Sequence, residues 1–421
     1  MRFNYMEFLF PVSRALDIVE HDATGAEPGH GRRVACMLAL MALRLDATHD
    51  ELEDLVACAL LHDNAVAEFE RNERDARSRG DRFMMVARNG AHVSGVDTHV
   101  LLGEKNVAPL PFHGDVKDVV LAHHERADGT GPLGLSPSQV DFRSKILHLV
   151  DRIDVNFDLA TLSKDGFDEL RNWVVLNEDK AFSREIVSCF KDKVTFEDVQ
   201  LFQERGAQGA LEDALSFEPK DYSAQQVGAV AGFVVRIVDW KSSYTKDHSV
   251  GVANKARAMA AHYKWDDDKT LRFSFAGALH DIGKLILPDE TLNKPTRLNN
   301  QEFEVMEQHV IATRKMLQGI EGLEDVCTWA ANHHEKLDGS GYPRGLTARD
   351  LSFEDRVLAC VDIYQALTET RPYKEGFSHE QTMEIMRDMA REGKIDSGVV
   401  EDVDKVFASI SSERQPVAVR R

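Results

Sequence analysis

The stretch LRFSFAGALHDIGK, Leu271 to Lys284, decides the fold. Its apolar side chains recur at i, i+4, i+8 and i+11, the spacing of one helical face: Leu271, Phe275, Leu279 and Ile282. A second run further along the chain lines one helical face in the same way: Phe303, Met306, Val310 and Leu317. Strand-like alternation of apolar and polar residues is scarce. The sequence therefore predicts an all-α protein.

Polar residues of the C-terminal half recur in the same order in the N-terminal half. The C-terminal series is His248, His280-Asp281, His309, His333-His334, Asp338-Gly339 and Asp362. The N-terminal series is His30, His62-Asp63, His99, His123-His124, Asp128-Gly129 and Asp151. The separation is 218 residues at the first two positions, 210 from the third to the fifth, and 211 at the last. One helical domain present twice is the simplest interpretation.

The repeat also predicts a domain organisation. The segment Asp165 to Val194 resembles the helical tail Glu380 to Phe407 and is therefore assigned to the first copy. The boundary falls between about Val194 and Tyr222. We expect a first domain over 1–200, a connecting helix or linker over 201–220, and a second domain over 221–421.

The repeated residue types are those that bind divalent metal ions. Such ions prefer neutral imidazoles and carboxylates, and a pair of ions needs a carboxylate that can bridge them. Adjacent His280-Asp281 offer one nitrogen ligand and one bridging carboxylate near the end of a helix. His333-His334 offer two imidazoles where another helix ends, and the remaining ligands fall on three other helices. Inward-facing ligands from several helices commonly build a carboxylate-bridged dimetal centre.

The composition limits the class of partner. Apolar residues make up 43% of the chain and charged residues 29%, with a formal net charge of -20. No broad basic face is available to neutralise nucleic acid, so we expect no binding to DNA or RNA. A small phosphate substrate is compatible with this charge if metal ions or a few basic residues supply a local positive site.

The sequence indicates a cytoplasmic protein that does not enter the membrane. The longest apolar run, Val34 to Leu43, is far shorter than the roughly 18 residues that a membrane span needs. Met1 to Glu7 does not have the pattern of a signal peptide. The five cysteines are scattered without paired spacing, which is typical of reduced core thiols.

At this point the sequence resembles a known family. His280-Asp281-Ile282-Gly283-Lys284, His333-His334-Glu335 and Asp338-Gly339-Ser340-Gly341-Tyr342-Pro343 are similar to the motifs of the HD-GYP branch of the HD superfamily. Asp362 with Ala366-Leu367-Thr368 and Arg371-Pro372-Tyr373-Lys374 extends the match, which covers roughly Tyr244 to Lys374. Members of this family are phosphodiesterases that hydrolyse cyclic di-GMP, or in some cases cyclic GMP-AMP, to linear dinucleotides or mononucleotides.

The resemblance implies a role for each matching residue. One metal ion would be held by His248, His280, Asp281 and Asp362. Asp281 would bridge to a second ion held by His309, His333 and His334, and a hydroxide between the ions would attack phosphorus. Lys284 would contact the scissile phosphate, and the other expected substrate contacts are Asp338, Arg371 and Lys374. Tyr244 stands where some members carry a glutamate that binds a third ion, so two ions are expected. Fe or Mn is favoured, with Zn and Ni as alternatives.

The N-terminal copy departs from the family pattern. Its seven candidate metal ligands are all present: His30, His62, Asp63, His99, His123, His124 and Asp151. The lysine position is Val66, the Gly-Tyr-Pro signature is reduced to Gly131-Pro132, and no counterpart of Arg371-Pro372-Tyr373-Lys374 follows Asp151. We interpret this copy as a metal-binding regulatory or structural domain. The rival hypothesis is a second hydrolase with another substrate.

Two alternative functions remain open from the sequence. The chain could be a metal-bearing receptor or scaffold that binds the dinucleotide without turnover, or a general HD-type phosphatase or nucleotidase. The intact C-terminal ligands and Lys284 argue against the first, and the Gly-Tyr-Pro loop with Arg371 and Lys374 against the second. The sequence leaves undecided the dinucleotide, the product, the metal, and whether a second copy of the chain or a signalling protein is a partner.

Overall fold

The computed structural model describes residues 1–24, 28–87, 90–215, 217–242, 248–370 and 375–413. By its internal contacts the chain forms two units. The N-terminal unit is Asn4–Pro219, and the C-terminal unit combines Met1–Phe3 with Lys220–Arg421.

The N-terminal unit is a bundle of helices. These are α1 Tyr5–Thr24, α2 His30–Leu43, α3 His49–Leu60, α4 Val66–Ser78, α5 Val100–Val107, α6 Phe142–Asn156, α7 Lys164–Leu176, α8 Arg184–Lys193 and α9 Phe196–Ala214. A short 3-10 helix, Val96–His99, precedes α5. Helix α2 packs against α3, α6 and α9, which brings the N-terminal histidine of α2 close to the end of α3 and to α6.

The C-terminal unit is a second bundle. Its helices are α10 Ala224–Lys241, α11 His248–His262, α12 Asp267–Leu279, α13 Asp289–Leu292, α14 Asn300–Leu317, α15 Glu324–Asn332, α16 Phe353–Thr368, α17 His379–Arg391 and α18 Ser397–Glu413. A 3-10 helix, Ile282–Ile286, follows α12. Helix α11 packs against α12 and α16, and α14 packs against α15 and the 3-10 helix.

The all-α prediction is confirmed. In the residues that the structure describes, strands are limited to two antiparallel pairs of two residues each: β1 Arg2–Phe3 with β4 Lys220–Asp221, and β2 Met85–Val86 with β3 His92–Val93. None of the described helices is both long enough and apolar enough to cross a membrane. The predicted division into 1–200, 201–220 and 221–421 stays a prediction.

Side-chain caps fix where the ligand-bearing helices begin. Asp266 accepts a hydrogen bond from the Lys269 backbone N–H at the start of α12. Helix α16 starts with a capping box between Ser352 and Asp355, in which each side chain accepts from the backbone N–H of the other. Such caps satisfy donors that have no intrahelical partner. The start of α16 sets the position of Asp362 two and a half turns later.

Gly283 allows the end of α12 to lie directly against α14. A Cβ atom at this position would stand 2.0 Å from the His309 carbonyl oxygen and 2.6 Å from the Thr313 backbone nitrogen. The Gly283 N–H donates to Thr313 Oγ1, which in turn donates to the His280 carbonyl oxygen. Close backbone approach of this kind requires glycine. The contact therefore brings His309 beside the His280-Asp281 pair.

Candidate metal centre

In the C-terminal unit, three residues from the start of one helix and the end of another form one donor group. His248 is the first residue of α11, His280 ends α12, and Asp281 follows it. Their donor atoms lie within 4.8 Å of one another. Asp362 on α16 joins this group, because its Oδ1 lies 3.1 Å from His248 Nε2 and 3.7 Å from His280 Nε2. All four side chains are buried.

His309, His333 and His334 form a neighbouring donor group with the same 4.8 Å spread. His309 lies on α14, and the adjacent pair lies at the end of α15. The Nε2 atoms of His309 and His333 are buried and have no hydrogen-bond partner among the described residues. Since a buried polar atom without a partner costs free energy, these two atoms point to a missing ligand.

The Asp281 carboxylate stands between the two groups. Its Oδ2 faces the first group, 3.2 Å from His280 Nε2 and 3.9 Å from His248 Nε2. Its Oδ1 faces the second group, 3.4 Å from His309 Nε2. One carboxylate with an oxygen toward each set of imidazoles is the arrangement that a bridged pair of ions requires.

Backbone carbonyl oxygens orient most of the histidines. The Nδ1 atom of His280 lies 2.7 Å from the Gly277 oxygen, and those of His309 and His333 lie 2.6 Å and 2.7 Å from the carbonyl three residues earlier. A hydrogen bond from Nδ1–H leaves Nε2 as the free donor atom, which is how ligating histidines are usually held. His248 begins its helix, and its Nδ1 instead lies 2.9 Å from Glu369 Oε2.

The local electrostatics differ between the two groups. Burial would lower the pKa of His248, but Asp362 and Glu369 outweigh this effect and raise the pKa to about 9. Burial lowers the pKa of His309 to about 3 and holds the pKa of His333 well below its ordinary value. Burial would raise the pKa of Asp281, but His280 and Lys284 outweigh this effect and hold the pKa well below its ordinary value. Neutral imidazoles beside an ionised carboxylate are the forms that bind a divalent ion.

Lys284 lies at this centre, on the 3-10 helix that follows α12. Its Nζ donates to Asp281 Oδ2 at 2.5 Å, and its side chain is largely buried. The ammonium group is therefore next to the carboxylate that faces both histidine groups.

The other predicted substrate contacts are less central or lie outside the described residues. The Asp338 carboxylate accepts hydrogen bonds from the Ser340 N–H and hydroxyl, so in this structure it stabilises its own turn. Arg371 and Lys374, together with Tyr244, lie outside the described residues. The contacts predicted for Asp338, Arg371 and Lys374 stay predictions.

The Gly-Tyr-Pro loop folds back onto the centre. A Cβ atom at Gly341 would stand 2.6 Å from the His334 carbonyl oxygen, so only glycine fits there. The Tyr342 ring then lies 4.8 Å from the His334 ring, between centroids. Phe303, on α14, packs edge-on against Tyr342 at 6.0 Å and is 45% exposed. In the sequence, Phe303 belongs to an apolar helical face, and nothing in that spacing identifies it as a site residue.

The N-terminal unit brings its seven predicted ligands together in the same pattern. Asp63 Oδ2 lies 3.0 Å from His62 Nε2 and 3.8 Å from His30 Nε2, while Oδ1 lies 2.9 Å from His99 Nε2. Asp63 also groups with His123 and His124. Asp151 Oδ1 lies 3.3 Å from His30 Nε2, and its Oδ2 lies 3.9 Å from His124 Nδ1. Backbone carbonyls three residues earlier again orient the rings, at 2.7 Å to 2.8 Å: His62, His99 and His123.

The N-terminal loop keeps the framework of the Gly-Tyr-Pro loop without its tyrosine. The Glu335 carboxylate accepts hydrogen bonds from the Arg344 and Leu346 N–H groups. The Glu125 carboxylate accepts the matching pair from Leu133 and Leu135. The loop conformation is thus retained while the ring that covers His334 has no equivalent in the N-terminal sequence.

Three N-terminal residues near the cluster were missed by the sequence analysis. Asp154 holds His30, with 2.8 Å between Asp154 Oδ2 and His30 Nδ1. His148 groups with His124 and Asp151. Glu20 lines the adjacent cavity, and burial together with Asp63 raises its pKa to about 7. Asp154 follows Asp151 by one helical turn, and His148 precedes it by one turn, so helical spacing was the available signal.

Comparisons with known proteins agree with the repeat. Two segments match models of the HD domain, residues 29–156 and residues 232–399. The 3'3'-cGAMP-specific phosphodiesterase 1 of Vibrio cholerae is 30% identical over 405 residues, which cover 94% of this chain and 90% of that protein. A cyclic di-GMP phosphodiesterase of Pseudomonas aeruginosa is 33% identical over 194 residues, 45% of this chain and 46% of that protein.

A solved structure shares the fold of the whole chain. The crystal structure of a cyclic GMP-AMP-specific phosphodiesterase of Vibrio cholerae superposes with a TM-score of 0.62 at 20% identity, covering 98% of this chain and all of that one. With its two HD-domain matches, its relative of similar length and the Gly341-Tyr342-Pro343 loop, the chain belongs to the HD-GYP family of cyclic dinucleotide phosphodiesterases and carries two HD domains in tandem.

Proposed function

We propose that the C-terminal unit hydrolyses a phosphodiester bond of a cyclic dinucleotide with the help of two divalent metal ions. The observation that carries this proposal is the position of Asp281, with one oxygen toward His248 and His280 and the other toward His309. Asp362, His333 and His334 complete the seven donors. Iron or manganese suits this mixture of imidazoles and carboxylates, with zinc and nickel as alternatives.

Bound ions would activate water as the nucleophile and offset the charge on the phosphoryl oxygens. The chain's own groups would do the remaining work. Lys284, in contact with Asp281, would bind a non-bridging oxygen of the scissile phosphate by a charge-assisted hydrogen bond. Glu369 would hold the His248 ring so that its Nε2 faces the centre. Burial of the donors would exclude bulk water and strengthen these electrostatic interactions.

Tyr342 and Phe303 would form an aromatic edge beside the centre. Tyr342 covers His334, and Phe303 extends this surface outward with nearly half of its side chain exposed. A nucleobase gains about 1–3 kcal/mol by stacking on an aromatic ring. We therefore expect one base of the dinucleotide to lie on this edge while the phosphate faces Lys284.

The substrate to test first is 3'3'-cyclic GMP-AMP, because the relative that matches along nearly the whole chain is named for that activity. Cyclic di-GMP is the second, because it is the substrate named for the Pseudomonas aeruginosa relative. The competing function is a receptor that binds a dinucleotide without turnover. The donor arrangement and the adjacent lysine support turnover.

Purified full-length protein of known metal content should be incubated with each dinucleotide, and the products identified by mass spectrometry. We expect hydrolysis by the wild type and a loss of about 1,000-fold or more in the His280→Ala variant, since a bridging pair of ions supplies several kcal/mol. Lys284→Ala should retain the metal and lose most of the rate. Binding without hydrolysis by the metal-loaded wild type would establish the receptor instead.

A further inference from the structure

The N-terminal unit contains a cavity of about 420 Å³ beside its histidine cluster. This volume is within the range of small-molecule sites, roughly 300–1,000 Å³. Five of the seven predicted N-terminal metal ligands line it: His30, Asp63, His99, His124 and Asp151. The cavity is therefore bounded by residues that correspond to the donors of the C-terminal centre.

The residues of the cluster fit a bound metal. Asp63 divides its oxygens between two imidazole groups as Asp281 does. The Nε2 atom of His123 is buried and, within the part of the chain that the structure describes, has no hydrogen-bond partner.

A cation is present in this cavity, but at a different position from Lys284. Val66 occupies the lysine position and lines the cavity wall. Arg152 lies in the wall instead, where its Nε donates to Asp151 Oδ2 at 3.1 Å and its Nη2 donates to Asp151 Oδ1 at 3.4 Å. Each unit therefore has a cation in contact with a candidate ligand carboxylate. Lys284 contacts Asp281, which lies between the two histidine groups. Arg152 contacts Asp151, which lies on α6. The C-terminal residue that corresponds to Arg152 is Ile363.

Arg33, the second arginine of the lining, is already engaged. Its Nε and Nη2 donate to the two oxygens of Asp154 at 2.7 Å and 2.9 Å. This fork fixes the carboxylate that orients His30. The contacts of Arg152 with Asp151 are longer, and its side chain is 37% exposed against 20% for Arg33. Arg152 is therefore the better placed cation for a ligand, and its planar guanidinium matches the geometry of a phosphate.

The described lining offers no large aromatic surface for a nucleobase. Its apolar members are Val66, Val96 and Val155, and its only rings among the described lining residues are three histidine imidazoles that belong to the candidate ligands. The C-terminal edge formed by Phe303 and Tyr342 has no counterpart, because Val93 takes the position of the phenylalanine and the tyrosine is missing. This composition favours a compact ligand over a dinucleotide. Because acidic side chains outnumber arginines in the lining, an anion would bind there together with divalent metal.

We propose that the N-terminal cavity is a second, separate site that binds a compact phosphate-bearing ligand together with divalent metal, and that Arg152 is the residue that contacts its phosphate. The ligand is inorganic phosphate or a small phosphomonoester. This site is distinct from the C-terminal centre and does not depend on hydrolysis there.

The test uses the full chain with Lys284→Ala in all samples, so that the predicted C-terminal phosphate contact is removed. Inorganic phosphate, GMP and cyclic di-GMP are each titrated into Mn²⁺-loaded protein by calorimetry, and metal content is measured separately. We expect phosphate or GMP to bind, and Arg152→Ala to weaken that binding by about tenfold or more with metal content unchanged, because a charge-assisted contact is lost. Arg152→Lys should recover part of the affinity.

Arg126→Ala is the matched control, since Arg126 is in the same unit and contacts Asp128 and Thr130 on the surface. It should bind phosphate as the parent does. Equal binding by the Arg152→Ala and parent proteins, no binding of phosphate or GMP by the parent, or binding of cyclic di-GMP alone would each overturn the proposal. Failure of the C-terminal hydrolase would leave these titrations unchanged, so the two proposals are tested separately.

Discussion

His248 Nδ1 lies 2.9 Å from Glu369 Oε2, while the Nε2 of the same ring lies 3.1 Å from Asp362 Oδ1. Asp362 lies on α16 and Glu369 directly follows this helix, so the two carboxylates are seven residues apart in the sequence. In the N-terminal unit, Asp154 occupies this role for His30, only three residues after Asp151. The two units therefore orient equivalent histidines with carboxylates from different turns of equivalent helices.

The contact of Glu369 with His248 predicts a positioning role that affects metal affinity. Replacing Glu369 by alanine should weaken metal binding by about 10–100-fold, because the ring loses the partner that fixes its orientation. Glu369→Gln keeps an acceptor and should have a smaller effect. Competition with a chelator measures both. Glu384→Gln, on the exposed face of α17, is the control and should bind metal normally. Wild-type affinity in Glu369→Ala would refute the role.

The contact at Gly283 predicts that this position does not tolerate a side chain. Gly283→Ala should lower the free energy of unfolding by about 1–3 kcal/mol, because its Cβ would collide with the α14 backbone. Metal content should fall as well, since α14 carries His309. Gly228→Ala, in α10 with open space around it, should instead be neutral or stabilising by up to about 1 kcal/mol. Urea unfolding and metal analysis distinguish the two variants.

The exposed ring of Phe303 predicts an effect on substrate binding. Phe303→Ala should raise KM for the dinucleotide about 5- to 100-fold through lost stacking, with a smaller change in kcat. The folded state should be unaffected because the ring is 45% exposed. Phe353→Ala removes a ring of similar exposure on α16 that packs against Tyr263, and its steady-state kinetics should match the wild type. An unchanged KM in Phe303→Ala would place the base elsewhere.

The burial of Phe3 predicts that the first residues stabilise the C-terminal unit. Its ring is fully buried, with centroids 4.9 Å from Tyr222 and 6.0 Å from Phe275 on α12. Phe3→Ala should cost about 3–5 kcal/mol, the usual range for a buried aromatic ring. The change in the free energy of unfolding is measured by urea titration, with loss of C-terminal activity as the signal for unfolding. Leu176→Ala, at a side chain that is 72% exposed, should not shift the midpoint.

The fold and most of the centre could be predicted from the sequence. Helical spacing gives the bundle, and the repeated order of histidines and aspartates gives the ligands of both clusters. The prediction that His280 and the His333-His334 pair stand at helix ends is confirmed. These features are readable because each depends on residue types at short, regular separations along the chain.

Other features could not be read in this way. In the sequence, Gly283 cannot be distinguished from an ordinary turn glycine. Only the folded structure places the His309 carbonyl oxygen against it. Phe303 fits an apolar helical stripe, and only the folded loop places Tyr342 beside it. The strand Arg2–Phe3 pairs with Lys220–Asp221, more than two hundred residues away, and two-residue strands leave no periodic signal.

The sequence by itself determined the helical class, the duplication and the candidate metal-binding side chains. The tertiary structure decided which carboxylate orients each leading histidine, and where the cation stands in each cavity. The physical reason is that the chemistry of a side chain decides whether it can bind a metal ion. The packing of neighbouring helices decides where that side chain points and which groups it contacts. Glu369 and Asp154, or Lys284 and Arg152, are ordinary charged residues until packing brings them against a metal-binding group.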